Sequence, residues 1–270
     1  MAYTARASIN NDPYQCGVIG MAESNDLYEW QSTKPLFGGL FSQLEVPQIF
    51  TVKDRWYCLF CNHPEDWSDE FKKNYNGPTR RGTHYLIADK FEGKKFNSPN
   101  DLAVRSNGEI WFTDPSYGLR GRKAEVDGKW VYKLKKDGSV SVVCKTFDMP
   151  NGIAFSPDEK RIYIADSGKI GKIRAYDVLE EGLLEEPAFK IDIRCDGMCV
   201  DTKGRIYTTA GGGIHVFDAN GKKIGLIPVP EHPANVCFGG ENYDTLFITA
   251  RKSLYSIKIN AKGQAVKAKK

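Results

Sequence analysis

Pro99-Asn100-Asp101-Leu102-Ala103-Val104-Arg105-Ser106-Asn107-Gly108-Glu109-Ile110-Trp111-Phe112-Thr113 is the stretch on which the reading of this chain turns. Leu102-Ala103-Val104 and Ile110-Trp111-Phe112-Thr113 are short apolar runs that suit strands. Ser106-Asn107-Gly108 between them carries turn chemistry, so the stretch reads as an antiparallel hairpin entered through Pro-Asn. The plan returns downstream. Pro150-Asn151-Gly152 leads into Ile153-Ala154-Phe155, the turn Pro157-Asp158-Glu159 and Ile162-Tyr163-Ile164-Ala165. Asp196-Gly197-Met198 leads into Met198-Cys199-Val200, the turn Thr202-Lys203-Gly204 and Ile206-Tyr207-Thr208, and Pro233-Ala234-Asn235 opens Val236-Cys237-Phe238 with Thr245-Leu246-Phe247-Ile248. Upstream, Glu45-Val46-Pro47 opens Gln48-Ile49-Phe50 and Trp56-Tyr57-Cys58-Leu59-Phe60.

Outer hairpins follow the inner ones. The clearest is Val131-Tyr132-Lys133-Leu134 across Lys136-Asp137-Gly138 to Val140-Ser141-Val142-Val143, and Ile214-His215-Val216-Phe217 before Asn220-Gly221 starts another. No long stretch carries a 3.6-residue apolar stripe, so the chain is all-β. Repeated four-stranded units at near-regular spacing read as a β-propeller. Five entrances predict five blades; six is the alternative count. Gly17-Val18-Ile19-Gly20-Met21-Ala22 and Leu27-Tyr28-Glu29-Trp30 form a hairpin with no inner strands of its own. It is expected to complete the last blade, so that strands from both termini close the ring and remove its open edges.

The innermost strands of a propeller begin near one mouth of a central channel. Glu45, Asn100, Asn151, Asp196 and Asn235 open their five segments in step, and two carboxylates with three carboxamides at such a focus suit a hard divalent cation. Calcium is the first expectation, with magnesium, manganese or zinc as alternatives. Taken singly, each of these residues is ordinary turn chemistry. His232 stands beside Pro233 and Asn235 at a blade entrance, which makes it a candidate pocket residue. His63, His84 and His215 show no ligand pair and no partner for a nucleophile. Asp114 and Asp166, at the ends of second strands, are expected to bond neighbouring turns. Gly211-Gly212-Gly213 reads as a bend between sheets, since no helix start follows it.

A chain of 270 residues, 41% hydrophobic and 12% aromatic, can bury one full core, and a single domain over residues 1–270 is the default. The net charge of +4, from 38 basic and 34 acidic residues, is mild. The excess lies largely in Lys262, Lys267, Lys269 and Lys270, and no basic stripe interleaved with aromatics tracks phosphates, so a nucleic-acid partner is not expected. Seven cysteines, mostly within strand patterns, look like small buried hydrophobes of a reducing compartment. Cys58 and Cys61 have no second pair at zinc spacing. Residues 1–15 are polar and no run reaches membrane length. A soluble cytoplasmic monomer acting on a small molecule is the resulting expectation.

Residues 88–259 resemble the regucalcin and gluconolactonase family of metal-dependent lactonases. The resemblance rests on Ala88-Asp89-Lys90-Phe91-Glu92-Gly93-Lys94-Lys95-Phe96-Asn97-Ser98-Pro99-Asn100-Asp101, Phe112-Thr113-Asp114-Pro115-Ser116-Tyr117-Gly118, Pro150-Asn151-Gly152-Ile153-Ala154-Phe155-Ser156-Pro157-Asp158, Cys195-Asp196-Gly197-Met198 and Phe238-Gly239-Gly240. Residues 14–86 are similar instead to five-bladed glycoside hydrolase propellers of the invertase and arabinanase kind, through Ile19-Gly20-Met21-Ala22-Glu23-Ser24-Asn25-Asp26-Leu27-Tyr28-Glu29-Trp30, Glu45-Val46-Pro47-Gln48-Ile49-Phe50 and Gly82-Thr83-His84-Tyr85-Leu86. The chain therefore reads as an engineered or recombined hybrid, joined within residues 85–96.

The lactonase resemblance implies that Asn151 and Asp196 hold the metal, and that Asn100 faces substrate or completes the metal shell through water. Glu45, from the other resemblance, is expected to take the place of the family's missing glutamate. Asp196 is the expected catalytic residue, accepting the water's proton or stabilising the tetrahedral oxyanion jointly with the cation, and Asn100, Asn235 and His232 are the expected substrate-binding set for a lactone or sugar-like molecule. One alternative is a catalytically silent hybrid scaffold. A glycoside hydrolase is the other, with Glu45 as its acid, although no Arg-Asp-Pro stands in the chain to supply the partner carboxylate.

Overall fold

The structure, a computed structural model, describes residues 90–264 except 120, 136 and 180–185, together with the backbone of six strands in the first 89 residues. The chain divides into two compact units, residues 1–89 with 266–270 and residues 90–265.

In the first unit, β1 (Ala2–Arg6), β2 (Gly17–Glu23), β3 (Gln31–Ser32) and β4 (Phe37–Gly38) form one sheet, and β5 (Glu45–Val52) pairs with β6 (Arg55–Cys61). β2 is the hub: it pairs with β1 from Ala2↔Met21 to Arg6↔Gly17, and with β3 and β4 on its other side.

The second unit starts with the hairpin β7 (Lys90–Phe91) and β8 (Lys94–Lys95), turned by Glu92 at φ 49° and Gly93 at φ 76°. Two positive φ values in succession give the turn whose twist matches the flanking strands. Four antiparallel sheets follow. The first holds β9 (Leu102–Val104), β10 (Ile110–Thr113), β11 (Val131–Leu134) and β12 (Val140–Cys144), and the second β13 (Pro150–Phe155), β14 (Arg161–Asp166), β15 (Lys172–Asp177) and β16 (Phe189–Ile191). The third holds β17 (Met198–Val200), β18 (Ile206–Ala210), β19 (Gly213–Phe217) and β20 (Lys223–Pro228). The fourth has three strands, β21 (Pro233–Gly239), β22 (Thr245–Ala250) and β23 (Ser253–Lys258).

The sheets stack because each second strand is apolar on both faces. Ile162 and Ile164 of β14 pack with Trp111, Val131 and Val143 of the first sheet. Alternation sends Tyr163 and Ala165 the other way, against Met198, Ile206 and Phe217 of the third. Tyr207, Ile214 and Val216 then meet Val236, Leu246 and Ile248 of the fourth. Each such large side chain contributes about 1.5–3 kcal/mol by leaving water.

The all-β propeller architecture is therefore present, with two corrections to the sequence reading. Four blade sheets, not five, stand in sequence among the described residues. The last of them stops at three strands, and Gly17–Glu23 pairs with Ala2–Arg6, Gln31–Ser32 and Phe37–Gly38 instead of completing it. The physical reason is that β1, which the polar composition of residues 1–15 concealed, supplies β2 with a partner of its own; the expected second arm, residues 27–30, lies outside the described residues. Among the described residues no helix is long and apolar enough to cross a membrane.

Candidate functional site

Strand register decides which side chains can meet. Leu102, Ile153, Met198 and Val236 are equivalent positions, paired with Phe112, Ile164, Thr208 and Ile248 in their sheets. Two residues ahead of them stand Asn100, Asn151, Asp196 and Ala234. Three of the predicted oxygen ligands thus occupy one repeated position of three successive blades. Asn235 lies one place later, where the second and third blades have Gly152 and Gly197. Its Oδ1 accepts from the Val236 amide at 2.8 Å.

Main-chain bonds lock the three together. The Gly152 amide donates to the Asp196 carbonyl at 2.8 Å, and the Gly197 amide to the Ala234 carbonyl at 2.9 Å. Between the first and second blades the Asp101 carboxylate does this work, accepting from Leu102 N at 2.9 Å and Ile153 N at 3.2 Å. Burial pushes the Asp101 carboxyl up to about 6, against the pull of those two amides and with some help from the Asp196 charge. Hydroxyls of Thr113, Thr209 and Thr249, at one repeated position of the second strands, accept from the amides of Asp101, Gly197 and Asn235 at 3.1, 2.9 and 3.1 Å.

Asn100, Asn151 and Asp196 line one cavity of about 510 Å³, with Tyr117, Ser167, Arg194, Cys195, Thr209, Gly211 and His232. Asn151 is 7% exposed and its Nδ2 donates to Ser167 Oγ at 3.2 Å and to Tyr117 Oη at 3.4 Å. Ser167 Oγ in turn donates to the Cys195 carbonyl at 2.7 Å, so a hydrogen-bond chain runs from Asn151 to the residue before Asp196. Burial raises the Asp196 carboxyl above its ordinary range, while the Asn151 amide and the His232 ring act to hold it down. Asn151, Asp196 and His232 line the same cavity wall. Burial also raises the Tyr117 phenol, which keeps it a neutral donor, and raises the Cys195 thiol, which keeps it inert.

Four predicted residues, Asn100, Asn151, Asp196 and His232, therefore share the cavity, and Asn235 is not among its lining residues. Glu45 starts β5, where it pairs with Cys61 ahead of a one-residue bulge, the place that Pro150 takes in β13. Its side chain lies outside the described residues, as do His63, His84 and the Cys58-x-x-Cys61 thiols. Asp114 and Asp166 bond turns as expected: Asp114 accepts from the Asn97 and Ser98 amides at 2.8 and 2.7 Å, and Asp166 from Asp148 and Met149 at 3.0 Å each. Tyr117, Ser167, Arg194 and Thr209 were not foreseen. Comparison of repeat positions could have found Thr209, which matches Thr113 and Thr249; Tyr117 depends on the short 3-10 helix Tyr117–Leu119, which carries no periodic signal.

Carboxylate and carboxamide oxygens are the donors that calcium and similar hard cations take. Asp196, Asn151 and Asn100 fit such an ion by donor type. Among the described residues no group of three or more His, Cys, Asp or Glu could hold a metal. Among the described residues, a cation here would rest on one carboxylate and two carboxamides.

Residues 25–252 match the SMP-30/Gluconolactonase/LRE-like region, a stretch that crosses the expected junction at 85–96 and takes in most of the segment read as glycosidase-like. A gluconolactonase of Zymomonas mobilis is 32% identical over 195 residues, which cover 66% of this chain and 55% of that one. The solved structure of a gluconolactonase from Xanthomonas campestris matches with a TM-score of 0.62 at 32% identity, over 74% of this chain and 68% of that one. A calcium-binding protein, regucalcin, of Agrobacterium tumefaciens shares the fold, with a TM-score of 0.55 at 20% identity over 91% and 84% of the two chains. This chain spans about half the length of the curated relatives it matches first. With motifs, blade register and matches in agreement over residues 90–252, the chain belongs to the SMP-30/gluconolactonase/LRE-like family.

Proposed function

We propose that the protein hydrolyses a small sugar-derived lactone in the cavity where Asn151 and Asp196 meet. The observation that carries this reading is the shared register of Asn100, Asn151 and Asp196, which turns residues far apart in sequence into one oxygen-rich wall. Asp196 is the general base: its carboxylate takes a proton from the water that adds to the lactone carbonyl, and returns it to the ring oxygen as the acyl C–O bond breaks. The product is the open-chain hydroxy acid. A carboxyl raised by partial desolvation suits both halves of that cycle, because it gains and loses its proton nearer to neutrality than a fully hydrated aspartate. Asn151, held by Ser167 and Tyr117, keeps its carboxamide against Asp196, and Asn100 and His232 orient the sugar hydroxyls.

Asp196, Asn151 and Asn100 would hold a divalent cation, with calcium ahead of magnesium, manganese and zinc. When bound, the cation polarises the lactone carbonyl as a Lewis acid. The test is acid release from glucono-1,5-lactone, followed with a pH indicator, with and without chelator. The reading expects turnover that Asp196→Asn lowers by about 10²-fold or more. Equal rates in the two proteins would remove it.

A second reading, a hybrid scaffold without turnover, draws support from the division of the chain between Asp89 and Lys90, inside the window where two lineages were expected to join. It expects no lactone hydrolysis and no rise in melting temperature with any of the four cations.

A further inference from the structure

Of the arginines in the second and third blades, Arg194 stands apart. Arg161, Arg174 and Arg205 each lie within 3.1 Å of a carboxylate oxygen, on Asp177, Asp166 and Asp201. Arg194 lines the cavity, and among the described residues it forms no ion pair. An exposed arginine is ordinarily a solvated surface group with a wandering head. This one is held: Nη2 donates to the Gly168 carbonyl at 2.9 Å, and Nε lies 3.5 Å from where a side chain on Gly171 would begin. Gly171, at φ 59°, keeps that space free. The guanidinium is fixed over the turn that follows Ser167, with most of its donors unspent.

Arg194 is anchored on the Gly168 carbonyl, and among the described residues it makes no hydrogen bond or ion pair with Asp196. Arg194 therefore addresses a different portion of whatever fills the cavity. Its companions there include Asn100 and Tyr117, neutral donors and acceptors of the kind that bind hydroxyls. A planar, always-charged fork beside them matches a carboxylate or phosphate group through paired hydrogen bonds.

We propose that Arg194 is a specificity-determining residue that selects lactones bearing a second, anionic substituent on the carbon chain away from the reacting carbonyl. The proposal rests on the lactonase reading of the same cavity and deepens it. Hydrolysis itself is unchanged: water adds to the carbonyl, the ring C–O bond breaks, and the charged substituent passes through untouched.

The experiment compares glucono-1,5-lactone with its 6-phospho derivative and with glucaro-1,4-lactone, in wild type, Arg194→Lys and Arg194→Met. The wild type is expected to prefer at least one anionic lactone by about tenfold or more in kcat/KM, and Arg194→Met to erase the preference through KM. Arg194→Lys, which keeps charge but not the fork, should recover part of it. Which anionic lactone is preferred separates phosphate from carboxylate recognition. Equal use of neutral and anionic lactones by the wild type, or a preference that survives in Arg194→Met, overturns the proposal. Calorimetric titration with 6-phosphogluconate, glucarate and gluconate separates the two layers of argument. Tighter wild-type binding of a doubly anionic acid, lost in Arg194→Met, upholds the role of Arg194 even if no lactone turns over; equal binding of all three acids refutes it even if lactones do.

Discussion

The amide of Gly152 donates to the carbonyl of Asp196 across 2.8 Å, so the residue after Asn151 is tied to the backbone of the residue that carries the cavity's carboxylate. This bond sets the spacing of two adjacent blades at the point where their side chains converge. It also explains the glycine. A Cβ at position 152 would overlap the Asp196 carbonyl oxygen and lie 3.2 Å from the Gly197 Cα, and neither is the free end of a flexible side chain. Gly152→Ala is expected to cost about 1–3 kcal/mol of stability, as overpacking does, and to weaken calcium binding by moving Asn151 away from Asp196. Urea denaturation and a calcium titration of the variant check both effects.

Asp166 and Asp196 are both aspartates at the blade ends, but they should respond differently to mutation. Asp166 is fully buried, pairs with Arg174 at 3.1 Å and accepts from three backbone amides, of Asp148, Met149 and Gly168. Asp166→Ala strands both the guanidinium and the amides, and a loss of about 3–5 kcal/mol is expected. Asp196→Ala should leave the melting temperature in the absence of cation within a few degrees of wild type while abolishing turnover. Thermal melts of the two variants side by side distinguish the structural aspartate from the functional one.

Asp114 should make stability depend on pH in an unusual direction. Burial pushes its carboxyl up to about 7, against the amides of Asn97 and Ser98 and the charge of Arg122. Its value in the unfolded chain is near 3.8. Between those values the folded state holds the proton and the unfolded state has lost it, so this group's contribution is complete below about pH 4 and declines as pH rises towards 7. The stability difference between wild type and Asp114→Asn should therefore shrink from pH 4 to pH 7. Denaturation curves at pH 4, 5.5 and 7 measure it, and a difference that grows over that range contradicts the assignment.

How far the sequence alone could be read depended on whether a feature repeats. The hairpins from Leu102 to Thr245 were legible because each pairs a short apolar run with a Gly, Asn or Asp turn, and the structure forms them with those turns. Asn100, Asn151 and Asp196 were legible as a group because the segments that carry them align. Asn235 looked equivalent only because Pro233 precedes it as Pro150 precedes Asn151. Pro233 pairs with Ala250 in β21 as Pro150 pairs with Asp166 in β13, so the residue directly after the proline, Ala234 and not Asn235, takes the ligand position. Strands β15 and β16 escaped notice since Lys172 and Arg174 interrupt the apolar pattern; Arg174 is buried only because Asp166 neutralises it. Tyr117, Ser167 and Arg194 reach the cavity from connections between strands, where period-2 alternation gives no guidance.

The central claim is that Asn151 and Asp196 together grip a divalent cation, and calorimetric titration of calcium into the wild type, Asn151→Ala, Asp196→Ala and the double variant tests it most directly. One binding event per chain is expected in the wild type, weakened in each single variant, with the double variant no worse than Asp196→Ala because the two side chains act on one ion. Calcium binding that is unchanged in Asp196→Ala, or losses that simply add in the double variant, would contradict it.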